Sequence, residues 1–293
     1  MRSFPKFSFY LILLIIIQAC TKIIDIDLPE HDEKIIVNSF FTDGRPVMVH
    51  LSKSISVLEN SIPLCENAFI QLSENNTVID TLNRSGDYYY SDVIPEVAKD
   101  YSLNISVPEM DSVICRDIIP VKTILQSYVL TKSVMTDEDG FVINELQLNF
   151  HDSAGPNFYE VELTAETLIT EYNMGLWFMK NSDPIITSTG LLDYDPKTLI
   201  FSDKMFDGKS CSVKVYFAIQ SGEPDYRLKV IFRSVSESYF RYKEKQFAYL
   251  FSLETDIFSG MSEPIQLFSN ITGGYGIFAG YSSDNRTIDV VVQ

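Results

Sequence analysis

The chain is short of the residue types from which most catalytic centres are assembled. It holds three histidines, four cysteines and a single tryptophan in 293 residues. His31 falls in an acidic lead segment, and neither His50 nor His151 stands near a Gly-x-Ser-x-Gly elbow, so a serine nucleophile has no imidazole to activate it. The cysteines show no Cys-x-x-Cys spacing, which removes the usual zinc frameworks. Basic residues are scarce as well. With 23 Lys and Arg against 40 Asp and Glu, the formal charge of −17 has the wrong sign for binding nucleic acid or for adsorbing to anionic lipid heads. No Walker-type lysine follows Gly273, Gly274 and Gly276, so a phosphate cradle is not expected there. Asp137, Asp139 and Gly140 begin like a calcium loop, but Phe141-Val142-Ile143-Asn144 follow and the bidentate Glu is missing. Paired carboxylates could serve glycoside hydrolysis, yet nothing singles out two among 40 acids. No catalytic residue, metal or cofactor is expected.

What the chain does have is a distinctive start. Arg2 and Lys6 precede an apolar run from Phe9 to Ile17, and the segment closes on Ile17-Gln18-Ala19-Cys20. An h-region of this length is too short to cross a bilayer of about 30 Å, and Ala19 supplies the small residue at the cut. Residues 1–19 therefore read as a lipoprotein signal peptide, with Cys20 as the lipid attachment site. Buried acyl chains contribute about 0.8 kcal/mol per methylene and hold a chain on a membrane without a transmembrane helix. Removing Arg2 and Lys6 takes the formal charge from −17 to −19. Cys65, Cys115 and Cys211 then remain, and either one disulfide or three free thiols suits an exported chain.

Residues 20–34 mix acids with Pro29 and read as a tether. From Ile35 the pattern turns to short runs rich in Val, Ile, Phe and Tyr, separated by turn residues. Runs at 35–40, 47–51, 68–72 and 101–107 alternate apolar with polar, so one face of each is buried. These predict an N-terminal β-sandwich, immunoglobulin- or transthyretin-like, over 35–121. A larger β-rich domain follows over 122–293, with strands at 145–150, 158–165, 212–218, 226–235 and 287–292 and a hairpin turn at Asp137-Glu138-Asp139-Gly140. One helix interrupts it. Ser236 is placed to cap residues up to about 253, where Tyr239, Tyr242, Gln246, Tyr249, Leu250 and Leu253 recur at helical spacing. The fold class is mainly β with one packed helix.

Several of these pieces, in this order, resemble the Bacteroidota lipoprotein family called domain of unknown function 4249. They are the lipobox with Ile24-Asp25-Ile26-Asp27, the strand at Ile36-Val37-Asn38, Phe201-Ser202-Asp203 with Phe206-Asp207-Gly208-Lys209, and Ser234-Val235-Ser236-Glu237-Ser238-Tyr239. Glu263-Pro264, Phe268-Ser269-Asn270-Ile271 and Gly276-Ile277-Phe278-Ala279-Gly280-Tyr281 complete the likeness. The family carries no established activity and no catalytic residues to transfer. Its members are often encoded beside TonB-dependent outer-membrane receptors, which implies a place near ligand uptake.

Two segments point toward contact with a partner or ligand. Met174-Gly175-Leu176-Trp177-Phe178-Met179 holds the only tryptophan in a loop-like stretch, and Tyr275 and Phe278 alternate with glycines near the C-terminus. Trp177, Phe178, Tyr275 and Phe278 are the candidate contact residues, although for both segments the core reading leads. The expectation is an outer-membrane lipoprotein, periplasmic or surface-facing, that acts as a non-enzymatic accessory or ligand-capturing partner of a TonB-dependent receptor. The rival readings are a structural or adhesive surface protein and a carboxylate-dependent hydrolase.

Overall fold

A computed structural model describes residues 31–56, 59, 61–168, 171–179, 183–187, 198–219, 225–254 and 265–291. Cys20, the signal segment and the tether up to residue 30 lie outside the described residues, as does Glu263-Pro264. The chain divides into Met1–Asp32 and Glu33–Gln293, and the strands described below belong to the second unit.

Among the described residues the strands form three sheets. The largest has nine strands in the order β12 (Asn173–Met174), β11 (Phe158–Thr167), β16 (Tyr226–Val235), β18 (Tyr275–Val290), β1 (Ile35–Thr42), β2 (Met48–Lys53), β6 (Tyr88–Tyr90) and β5 (Asn83–Ser85), with β14 (Thr198–Ser202) also paired to β11. A five-stranded sheet runs β17 (Ile271–Thr272), β8 (Val113–Ile118), β7 (Asp100–Ser106), β3 (Phe69–Glu74) and β4 (Thr77–Thr81). A four-stranded sheet runs β13 (Leu176–Phe178), β15 (Ser210–Ile219), β10 (Val142–His151) and β9 (Leu125–Thr136). Asp137 makes the β9–β10 turn by accepting the backbone N–H groups of Asp139 and Phe141 at 3.1 and 2.7 Å, while Gly140 takes φ +88°.

Alternation sends every second side chain inward, and two cores result. The first gathers Val37, Phe41, Val49, Leu51, Ile70, Leu72, Tyr101 and Leu103 between the large sheet and the five-stranded one. The second gathers Leu146, Leu148, Phe150, Tyr159, Val161, Phe217, Val230 and Phe232 between the large sheet and the four-stranded one. The change of core falls between Ile119 and Leu125. Ile271 and Phe278, from the far end of the chain, nevertheless return to the first core, so no single cut in the sequence separates the two.

β18 is the reason. Its first half pairs parallel with β1, from Ile36↔Tyr275 to Thr42↔Tyr281, and its second half pairs antiparallel with β16. Glycine permits the approach: a Cβ at Gly276 would stand 2.0 Å from the Val37 carbonyl oxygen, and one at Gly280 would stand 2.2 Å from that of Ile118. The strand expected over 287–292 is thus the end of a 16-residue element.

The helix expected over 236–253 is α1 (Glu237–Glu254). Ser236 caps it, its Oγ accepting the Tyr239 backbone N–H at 3.1 Å. α1 lies on the face of the large sheet opposite the cores, over Val235, Ile277 and Ala279, with Tyr239 and Phe247 buried. Tyr249, placed in the buried stripe by its spacing, is instead exposed, because the face turned to the sheet is centred on Tyr239 and Phe247.

Candidate functional site

The outer face of the large sheet, part covered by α1 and part open, concentrates the unusual chemistry. Glu160 and Glu162 alternate on β11, and the register sets Arg233 of β16 directly opposite Glu160. Glu160 is fully buried. Its Oε2 accepts hydrogen bonds from Arg233 Nη1 at 2.6 Å and from the Tyr239 hydroxyl at 2.7 Å, while Arg233 Nη2 donates to Glu162 at 2.5 Å. Glu160 Oε1 has no hydrogen-bond partner, and the Lys243 ammonium stands 4.0 Å away. Burial, and then the charge of Glu160, hold the Tyr239 phenol protonated. Burial opposes the charge on Arg233, but Glu160, Tyr239 and Glu162 together outweigh it and keep the guanidinium ionised.

At the start of α1 the Ser236 hydroxyl donates to Asp117, which also accepts the Gly280 backbone N–H at 3.1 Å. Burial pushes the Asp117 carboxyl up to about 6.

Past the edge of α1 the same face runs on over β1, β2 and β6, where it is open. Asn38, His50 and Tyr88 are paired in a row across these three strands, and Met48 is paired with Tyr90. His50 and Tyr88 rings lie 5.4 Å apart, and Tyr88 and Tyr90 rings 6.3 Å apart. Asn38, Met48, His50 and Tyr88 line a groove of about 420 Å³ together with Ser39, Phe40 and Arg45. The Arg45 guanidinium donates to the Tyr281 hydroxyl and lies 5.9 Å from that ring's centroid. Lys243 Nζ is 5.8 Å from the centroid of Phe40, so two cations flank the α1 end of the groove.

The four expected contact residues divide. Trp177 is half-buried on β13, paired with Ala218, and its ring meets Phe141 at 5.8 Å. Ala218 in turn pairs with Ile143, and Ile143 with Met135, so these side chains share one face at the hairpin end of the four-stranded sheet. Met135 and Phe141 are exposed there. Tyr275 is 51% exposed at the start of β18. The other two are corrected. Phe178 belongs to the second core and Phe278 to the first, where it is 0% exposed and stacks on Phe41 with centroids 4.2 Å apart. Alternation turns Phe178 to the face opposite Trp177, and Phe278 to the face opposite Tyr275, three positions earlier.

A family model described as Domain of unknown function (DUF4249) matches residues 21–287. The chain belongs to the DUF4249 family. None of the curated proteins matches it.

In this DUF4249 chain the remaining acid, histidine and thiol groups have structural work. Asp152, Asp203 and Asp207 bring carboxylate oxygens within 4.8 Å of one another, the one such trio among the described residues whose donors could share a cation. Asp152 accepts the Tyr159 hydroxyl and the Gly208 N–H, Asp203 the Asn157 N–H and Asp207 the Gly155 N–H. The trio therefore clasps two turns. Burial, and then Asp152, push the Asp203 carboxyl up. His151 meets Ser210 across β10 and β15 at 3.3 Å, in the open; Asp152, its neighbour in sequence, is fully engaged elsewhere. Cys65, Cys115 and Cys211 are free thiols. Burial raises all three, Cys115 to about 12 and Cys211 to about 11.

Sequence reading missed Arg45, Glu160, Arg233 and Lys243. One signal was present: Asn38-x-Phe40, Met48-x-His50 and Tyr88-x-Tyr90 alternate with the core residues Val37, Val49 and Tyr89, so a second face had to exist on those strands.

Proposed function

We propose that this protein is an outer-membrane lipoprotein, held by acyl chains on Cys20, that works as a non-enzymatic partner of a TonB-dependent receptor. The docking surface in this reading is the hairpin end of the four-stranded sheet. One observation carries it: β9 is a 12-residue strand that pairs only with β10 among the described residues, and Tyr128, Val129, Val134 and Met135 on it are exposed, with Phe141 and Val142 beside them. A long open edge with clustered apolar side chains is an association surface unless something covers it. Its apolar character also suits a chain of net charge −17, which elsewhere presents acids to an approaching protein. The short apolar segment before Cys20 supports the anchor, and the likeness to a family encoded beside such receptors supports the choice of partner.

A photo-crosslinking residue placed at Tyr128 or Val134, both exposed on β9, in intact cells tests the reading. The expected adduct is an outer-membrane receptor, lost when Val129 and Met135 are changed to Asp. Cys20→Ser is expected to release the chain from the membrane fraction. Adducts that never include a receptor, or that survive the Asp substitutions, would overturn the partnership and favour an adhesive role.

A further inference from the structure

We propose that the groove on β1, β2 and β6 binds an acidic sugar, a glycan unit that carries a carboxylate. β2 lies inside the sheet between β1 and β6, and His50 is paired on both sides, to Asn38 and to Tyr88, so the main chain at the centre of the groove is spent on pairing. A peptide that adds itself as a strand finds no edge here. Recognition must come from side chains standing up from the sheet.

Those side chains suit a pyranose ring. His50 and Tyr88 offer rings 5.4 Å apart within the groove, apolar surfaces with polar margins, and Tyr90 continues the row 6.3 Å beyond Tyr88, outside the lining. Asn38 and His50, paired across the strands, spend no side-chain hydrogen bond among the described residues, which leaves amide and imidazole donors and acceptors for sugar hydroxyls. The groove's volume of about 420 Å³ falls within the range of roughly 300–1,000 Å³ common for small-molecule sites.

The charge at the rim decides the class of sugar. Arg233 is answered by Glu160 and Glu162, and Asp43 by Lys122 at 3.4 Å. Among the described residues Arg45 donates only to the neutral Tyr281 hydroxyl and pairs with no carboxylate. Lys243 faces Glu160 at 4.0 Å, beyond hydrogen-bonding distance. Two guanidinium and one ammonium group thus stand against two carboxylates, and the surplus sits at the open end, on a chain with 17 more acids than bases. A guanidinium fork left without an acid is matched by a ligand carboxylate, which accepts two parallel N–H bonds from it.

Calorimetric titration of the full-length protein in detergent, with tri-galacturonate and sialyllactose as acidic probes and galactotriose as the neutral one, tests the assignment. At least one acidic probe should bind, about tenfold or more tightly than galactotriose. Arg45→Ala should remove that preference, whereas Tyr88→Ala should weaken acidic and neutral probes alike, each variant keeping the wild-type circular dichroism. Equal binding of all three sugars, no binding of either acid, or acid binding indifferent to both substitutions would each overturn the proposal. None of these variants touches β9, so receptor crosslinking should be unchanged by them.

Discussion

The two cores are built alike but closed differently. The second core is completed by its own stretch of chain, from Leu125 to Val290, and packs Phe150, Tyr159 and Phe232 in mutual ring contact at 4.9–5.4 Å. The first takes nearly all of its residues from 35–119 and then needs Ile271 and Phe278, more than 150 residues later, to close. β18 is central to the large sheet and serves both cores. What looks in sequence like a separable sandwich is therefore half of a shared structure.

The sharpest way to break this comparison is to isolate the sandwich. Residues 33–121 expressed alone should fail to fold, because β1 loses its parallel partner and the first core loses Phe278. A cooperative thermal transition from that fragment would show that the first core closes unaided. In the whole chain, Phe278→Ala should cost about 3–5 kcal/mol, the range for deleting a fully buried ring. Phe150→Ala should cost a similar amount in the other core. If β18 couples the two, both variants lower one and the same calorimetric transition; two resolved transitions would mean that the cores melt independently.

How far sequence carried depends on whether the signal was local. Tyr226–Val235 is recovered residue for residue and α1 is displaced by one, because strand alternation and the Ser236 cap are written within a few neighbouring positions. Parallel pairing of β1 with β18 leaves no such trace, since strands some 240 residues apart meet only in the folded chain. The seat of Phe278 is hidden for a related reason: the glycines at 276 and 280 suit a bent strand or a contact segment, and only the fold shows that they admit backbone carbonyls that any Cβ would strike. The Glu160–Arg233 pair is hidden among 40 acids and 23 bases until register sets the two side by side.

The outer face should show a smaller effect than the cores when its pair is handled correctly. Arg233→Met leaves the buried Glu160 without its charged donor, with the Tyr239 hydroxyl still bonded to it, and should cost about 3 kcal/mol or more. Adding Glu160→Met should restore most of that loss, since a well-packed apolar pair replaces a desolvated ionic one. Denaturant melts of the single and double variants measure it, and a double variant no more stable than Arg233→Met would mean that the network specifies the seat of α1 in some other way.

The smallest effect belongs to Asp117, and it has a sign that pH can read. Its carboxyl is raised from 3.8 to about 6 in the folded chain, first by burial. Between these values the folded protein holds a proton that the unfolded chain has released, so this group's contribution is fully present below about pH 4 and is lost as pH rises through 6. At about 1.4 kcal/mol per pH unit the contribution is at most ~3 kcal/mol. Asn keeps an oxygen that can accept from both Ser236 and Gly280 and has no charge to bury. Asp117→Asn should therefore match the wild type near pH 4, exceed it by up to that amount at pH 7, and flatten the stability profile between. A variant less stable than wild type at pH 7 would show instead that the ionised carboxylate is what holds the cap of α1 to β8.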